Sequence, residues 1–177
     1  MAHYGKFPVR SKIVVENKVL EQVSSFSYLG SDISLDIDKD IEKKTNKFQH
    51  ICGTINKTLK NKVTKSTKLK LYKTMAVPLI LYGSESWIER KRDKSNIQSA
   101  EMRFLRTVKG CTRRDHIKND DIREELGIFN LNEKIEEYRE KWRLHLKRMN
   151  GDRIPVVVNN YRPSGRRDVG RPRKRWS

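Results

Sequence analysis

A chain of 177 residues has room for one ordinary domain with a tail, and enough length to bury a core. Hydrophobic residues make up 35% of it and charged residues another 35%, which favours thin helical layers over a thick sandwich. The formal charge of +18 is more than solubility needs and points to a polyanionic partner, nucleic acid first, while the longest apolar run, Met75 to Tyr82, is too short to span a membrane and contains Pro78.

In chain order, Lys12-Ile13-Val14-Val15 and Lys18-Val19-Leu20-Glu21-Gln22-Val23 are β-branched runs on either side of Glu16-Asn17, which predicts a hairpin with a tight turn. Phe26-Ser27-Tyr28-Leu29-Gly30-Ser31-Asp32-Ile33 follows, with a glycine suited to a sharp bend. Taken on its residues alone it reads as a third strand closing a small sheet. Asp36, Asp38 and Asp40 alternate before a basic periodic segment. The glycine and distal glutamate of a calcium loop are missing, so they read as N-cap and first-turn acids facing the positive end of a helix dipole.

From Lys39 to Lys62, Ile41, Thr45, Phe48, Cys52, Ile55 and Leu59 recur at helical spacing. Lys39 through Lys73 holds 11 lysines against Asp40 and Glu42, an excess that predicts a phosphate track formed by Lys43, Lys44, Lys47, Lys57, Lys60, Lys68, Lys70 and Lys73. His50, among these lysines, reads as a surface residue. A second helix begins near Ser66 and turns Leu69, Tyr72, Met75 and Ala76 inward, with a kink or restart at Pro78. Tyr72, Leu81, Tyr82, Trp87, Phe104 and Trp142 are the expected large core residues. For Trp87 the alternative is a platform on which a base stacks.

Ile97, Ala100, Glu101, Phe104, Leu105 and Val108 outline a third helix ending at Gly110. Cys111 and His116 have a zinc-knuckle gap, but the other two cysteines are absent, so no metal site is expected. Cys52 and Cys111 are the only cysteines; with no Cys-x-x-Cys they are expected to be reduced thiols inside a cell. Asn119 is expected to cap a short helix through Ile122 and Leu126, with Asp120-Asp121 in its first turn and Gly127 at its end. Asn132 begins a further helix, with Ile135, Tyr138, Trp142, Leu146 and Met149 inward. His145 has no partner to support a catalytic role. Beyond Asn150-Gly151 the periodicity is lost. Residues 163–177 carry Arg166, Arg167, Arg171, Arg173, Lys174 and Arg175 against the single acid Asp168, the composition of a flexible basic arm. Gly170-Arg171-Pro172 is the centre of an AT-hook-like minor-groove ligand, although Val169 stands where a full hook has arginine.

Several of these stretches, in this order, resemble one family. Phe26-Ser27-Tyr28-Leu29-Gly30, the lysine-rich helix, Leu71-Tyr72 through Leu81-Tyr82-Gly83-Ser84-Glu85-Ser86-Trp87, Gly110-x-Thr112-x-x-Asp115-x-x-x-Asn119, Trp142-x-x-His145-x-x-Arg148-Met149 and Gly170-Arg171-Pro172-Arg173 are similar to the region after the palm in endonuclease–reverse transcriptases of non-LTR (LINE-type) retrotransposons. Leu144 replaces the glycine usual in the Trp-x-Gly-His motif. The resemblance covers about residues 12 to 176. It implies that Phe26, Tyr28, Leu29 and Gly30 correspond to the primer grip. It also implies that the paired palm aspartates and the endonuclease would lie upstream.

The expectation is therefore a mainly α (α+β) chain. Residues 1–35 form a small palm-end β-hairpin or three-stranded remnant, 36–150 a thumb-like bundle of about five helices, and 151–177 a disordered basic tail. The chain is expected to grip an RNA–DNA hybrid or duplex DNA in the nucleus, beside the missing palm and endonuclease domains. It would have no catalytic residues, cofactor or membrane partner of its own. The alternative is a stand-alone, domesticated DNA-binding protein anchored by its tail.

Overall fold

The computed structural model describes residues 3–4, 7–8, 11–34, 38–60 and 62–162. Asp36 and the six predicted tail contacts Arg166, Arg167, Arg171, Arg173, Lys174 and Arg175 lie outside the described residues. The chain forms two compact units, Met1–Ile41 and Glu42–Ser177, which divide inside the first helix rather than before it. As the composition suggested, the fold is mainly helical with a small β component.

The first unit is a series of antiparallel hairpins: β1 (His3–Tyr4) with β2 (Phe7–Pro8), β3 (Val14–Val15) with β4 (Lys18–Val19), and β5 (Ser25–Tyr28) with β6 (Ser31–Ser34). Glu16 and Asn17 have φ of 50° and 60°, the paired positive values of the tight turn whose twist matches its flanking strands. Leu29 and Gly30, at 46° and 79°, repeat it. The second turn corrects the three-strand expectation. It folds Phe26-Ser27-Tyr28 back onto its own continuation, Phe26 opposite Ile33, so β5 pairs with β6 and not with β3 or β4. Val14, Val15, Val19, Phe26, Tyr28 and Ile33 are all exposed, so these hairpins bury little of their apolar surface. The amide of Asp32 donates to Asp40 Oδ1 at 2.9 Å, tying β6 to the first turn of the next helix.

Helix α1 (Asp38–Thr58), which lies in the second unit from Glu42 on, buries Thr45, Phe48, Cys52 and Ile55 along the expected stripe. Thr64 caps α2 (Lys65–Leu71), its hydroxyl accepting from the Thr67 amide. One wide π turn, Tyr72–Ala76, then joins α2 to α3 (Val77–Leu81). Pro78 is the physical reason. It has no N–H to give the preceding turn, and the ladder shifts register just before it, the Val77 amide donating to Tyr72 O. The Thr74 hydroxyl donates to Lys70 O at 3.0 Å, satisfying a carbonyl beside the widened turn.

This insertion also moves the faces of the helix. Met75, expected inside, is 52% exposed, while Ala76, Val77, Ile80 and Leu81 are buried. Tyr72 sits at the centre, its ring stacked on Phe104 at 4.9 Å and edge-on to Phe48 at 6.0 Å.

Helix α4 (Lys91–Lys109) starts with the Asp93 carboxylate accepting from the Arg90 amide at 2.8 Å and stops at Gly110, whose φ is 89°. It buries Ile97, Ala100, Phe104, Leu105 and Val108 as predicted. Helix α5 (Asn119–Leu126) ends at Gly127, and α6 (Leu131–Arg148) is capped by Asn130, whose Oδ1 accepts from the Asn132 amide. Tyr138, expected inside, is exposed; Trp142 is only half-buried. Helices α1, α2–α3, α4, α5 and α6 make the expected five-part bundle. A short α7 (Ile154–Asn160), not anticipated, forms where the tail was expected to begin. No helix among the described residues is long and apolar enough to cross a membrane.

Candidate nucleic-acid interface

The predicted lysines divide into two groups once the helices are placed. On α1, Lys43, Lys47, His50 and Lys57 fall at helical spacings of four, three and seven residues and all are exposed, giving a basic stripe about 20 Å long at the helical rise per residue. The sequence holds no acidic residue between Glu42 and Glu85. Lys60, just past the helix, is also exposed.

Lys44, next to Lys43, behaves oppositely and corrects the phosphate-track assignment. It is 5% exposed; its ammonium donates to Tyr82 O at 2.8 Å and lies 5.4 Å and 5.5 Å from the Tyr82 and Trp87 ring centres. A one-residue step turns a helical side chain by about 100°, from the outer stripe to the bundle interior. There the carbonyl dipole and aromatic faces replace water around the charge. The Leu-Tyr-Gly-Ser-Glu-x-Trp segment is thus the receptacle for an α1 cation. Gly83, at φ 71°, makes its bend, and Ser84 and Trp87 are buried. Burial of Trp87 removes it as a stacking platform. Tyr82, by contrast, leaves the predicted core and is 55% exposed, because the helix ends at Leu81 and the extended backbone at Tyr82 turns its ring outward.

The lysines after α1 are positioned by helix ends. Lys65 Nζ donates to Lys109 O at 3.1 Å, Lys68 Nζ to Lys60 O at 2.9 Å, and Lys73 Nζ to Gly127 O at 3.0 Å. Each carbonyl lies at or just beyond the C-terminus of a helix, where cations are favoured. Lys68 is half-buried in this role. Lys65, Ser66, Lys70, Lys73 and Thr74 line a groove of about 690 Å³ whose far wall carries Glu125, which is held by Lys109 at 2.5 Å. Lys65, Ser66 and Thr74 were missed as site residues. Their signal was the helical face they share with Lys70 and Lys73.

Two buried ion pairs hold the frame behind these lysines. Arg123 Nη2 meets Glu101 Oε2 at 2.6 Å, with both side chains inside the bundle and the Tyr72 hydroxyl 3.5 Å from Glu101 Oε1. Burial pushes the Glu101 carboxyl above its ordinary range, with the Arg123 guanidinium opposing it. Arg139 Nη2 reaches Glu89 at 3.0 Å and Trp87 O at 3.1 Å, while its Nη1 reaches Glu136 at 2.9 Å. Neither arginine was singled out in the sequence, since an isolated arginine carries no local sign of burial.

The connector motif is accounted for by turns. Gly110 ends α4. The Asp115 carboxylate accepts from the Thr112 amide at 2.6 Å, which holds its own pKa down, and Asn119 Oδ1 accepts from Arg106 at 2.7 Å. Asn119 therefore receives an arginine instead of capping α5, whose N-cap is Lys118. Burial pushes the Cys52 thiol up to about 12, consistent with a packing role. Among the described residues no three His, Cys, Asp or Glu side chains are grouped to hold a metal ion.

No known protein family matches the chain, and no solved structure matches it. The chain is 22% identical over 166 residues to a transposon-derived protein of Caenorhabditis elegans, an alignment that takes in 89% of this chain. It spans 59% of that relative's length. This similarity points to a transposon origin.

Proposed function

We propose that this chain grips nucleic acid by its backbone phosphates, as the thumb region of a non-LTR retrotransposon reverse transcriptase does, and that it does not polymerise by itself. The exposed lysine stripe of α1, continued by the basic groove of α2 and the π turn, is the observation that carries this reading. Ammonium groups along a helix face position a duplex without reading its sequence. The order of the family-like motifs and the transposon-derived relative support the origin. The substrate in this reading is an RNA–DNA hybrid or duplex DNA, the place of action the nucleus, and the partners are palm and endonuclease domains.

Fluorescence anisotropy with a labelled RNA–DNA hybrid across a salt series tests it. Affinity falls steeply with salt, and replacing Lys47, Lys57 and Lys70 together by glutamine lowers the slope of log affinity against log salt by about two to three, near one per lost phosphate contact. An unchanged slope in the triple variant overturns the assignment of these lysines. Magnesium-dependent nucleotide incorporation by the purified chain overturns its non-polymerising character. If removal of residues 163–177 abolishes all binding, the tail-anchored alternative replaces the thumb reading.

A further inference from the structure

The second unit holds an aromatic groove that the phosphate-gripping reading does not use. Its volume is about 470 Å³, within the range of ligand clefts; Leu81, Tyr82, Tyr138, Trp142 and His145 line it, and Lys141 and Glu85 bring one charge of each sign to its wall. Its walls are α3 with the bend at Gly83 on one side and one face of α6 on the other. The spacing of Tyr138, Trp142 and His145 puts all three on that face.

The rings are partly open, with Lys44 Nζ 5.4 Å from the Tyr82 ring centre and Lys141 Nζ 5.9 Å from that of Tyr138. Tyr82 is 55% and Tyr138 39% exposed. Trp142 is half-buried, and its ring lies 5.3 Å from that of His145 at a 42° tilt, so the two are not stacked on each other. Lys44 donates to the Tyr82 carbonyl from inside and so holds the residue in place, although more than half of it is exposed. Lys141 stands at the groove wall and is bridged to Glu137 at 2.5 Å; an exposed bridge of this kind is weak and gives way to a stronger anion.

We propose that this groove takes unpaired bases of a single-stranded nucleic acid, the bases stacking on Tyr82, Tyr138 and Trp142 while Lys141 meets the intervening phosphate. The occupant follows from the lining and the charge. Four flat rings with polar edges suit the π-face that every base presents. A chain with a net charge of +18 draws a polyanion to such a site. This inference rests on the nucleic-acid reading and extends it from the paired to the unpaired part of the substrate.

The test compares oligo(dT) with a blunt RNA–DNA hybrid on the full chain. Replacing Tyr82 and Tyr138 together by leucine lowers oligo(dT) affinity about tenfold or more, while the double phenylalanine variant, which keeps both rings, stays near wild type. Hybrid affinity stays within about twofold in both, since its phosphate contacts are elsewhere. Because both residues are exposed, melting temperatures fall only slightly, the Tyr82 ring being one of several groups around Lys44. Oligo(dT) also quenches the fluorescence of Trp142, and Trp142→Phe removes that quenching. Equal loss on both ligands, no loss on oligo(dT), or equal behaviour of the leucine and phenylalanine variants overturns the inference. So does a groove that closes on a second copy of the chain in sedimentation. Hybrid binding without oligo(dT) binding overturns this inference and leaves the duplex-gripping function intact; failure of both ligands to bind removes that function too.

Discussion

Lys43 and Lys44 are neighbours in sequence and belong to different regions of the molecule. The outer face of α1, with Lys43, Lys47 and Lys57, meets solvent; the inner seam, with Lys44, Arg123 and Arg139, is closed by carbonyls, carboxylates and rings. The comparison shows that a large positive charge is not one property. Part of it holds the bundle together, where each cation is desolvated and its partners are fixed; part is displayed, where a mobile partner can replace water. Only the second part is available for binding. The two parts are expected to respond differently to mutation, to salt and to pH.

The largest expected effect lies in the seam. Arg139→Ala leaves Glu89, 1% exposed, without its guanidinium and is expected to destabilise the fold by about 3–5 kcal/mol, as a denaturant melt will read. A loss of nucleic-acid affinity with unchanged stability would instead move Arg139 to the displayed group.

Lys44→Ala comes next, with a loss of about 2 kcal/mol for a charged, part-buried hydrogen bond to the Tyr82 carbonyl. Its salt slope for hybrid binding stays that of the wild type. If stability holds and the slope falls, Lys44 contacts phosphate and the division between neighbours fails.

The smallest effect belongs to the exposed bridges of α6. Lys134 and Lys141, hydrogen-bonded to Glu137, hold its carboxyl at about 2, well below the ordinary glutamate value of 4.5. A depressed folded pKa stabilises above the unfolded value, so this contribution is present above about pH 4.5 and is lost as the pH falls toward 2. Glu137→Gln should make the acid limb of the stability profile slightly shallower, read by melting temperature against pH. A change near neutral pH would place the residue in a buried network.

Much of the frame was legible because local rules governed it. Gly110 and Gly127 stop their helices with left-handed backbone, and the positive φ of Glu16-Asn17 makes the predicted hairpin turn. The apolar stripes of α1 and α4 are buried as their spacing requires. Legibility fell where a register changed. The π turn before Pro78 put Met75 outside, and the end of α3 exposed Tyr82. Leu29-Gly30 closed a separate hairpin. Each of these is a local backbone event that shifts which side chains face the core.

What the sequence determined by itself was the helical class, the boundaries set by glycine, proline and capping residues, the charge excess and the similarity to a transposon-derived protein. All follow from composition, order and interactions within a few residues. The tertiary structure alone decided which cations are structural and which are displayed, and brought Tyr82 together with Tyr138, Trp142 and His145. The reason is that burial of a charge and the opening of a groove depend on what a distant segment places opposite. For Lys44 that is a carbonyl 38 residues away, a distance over which spacing along the chain carries no information.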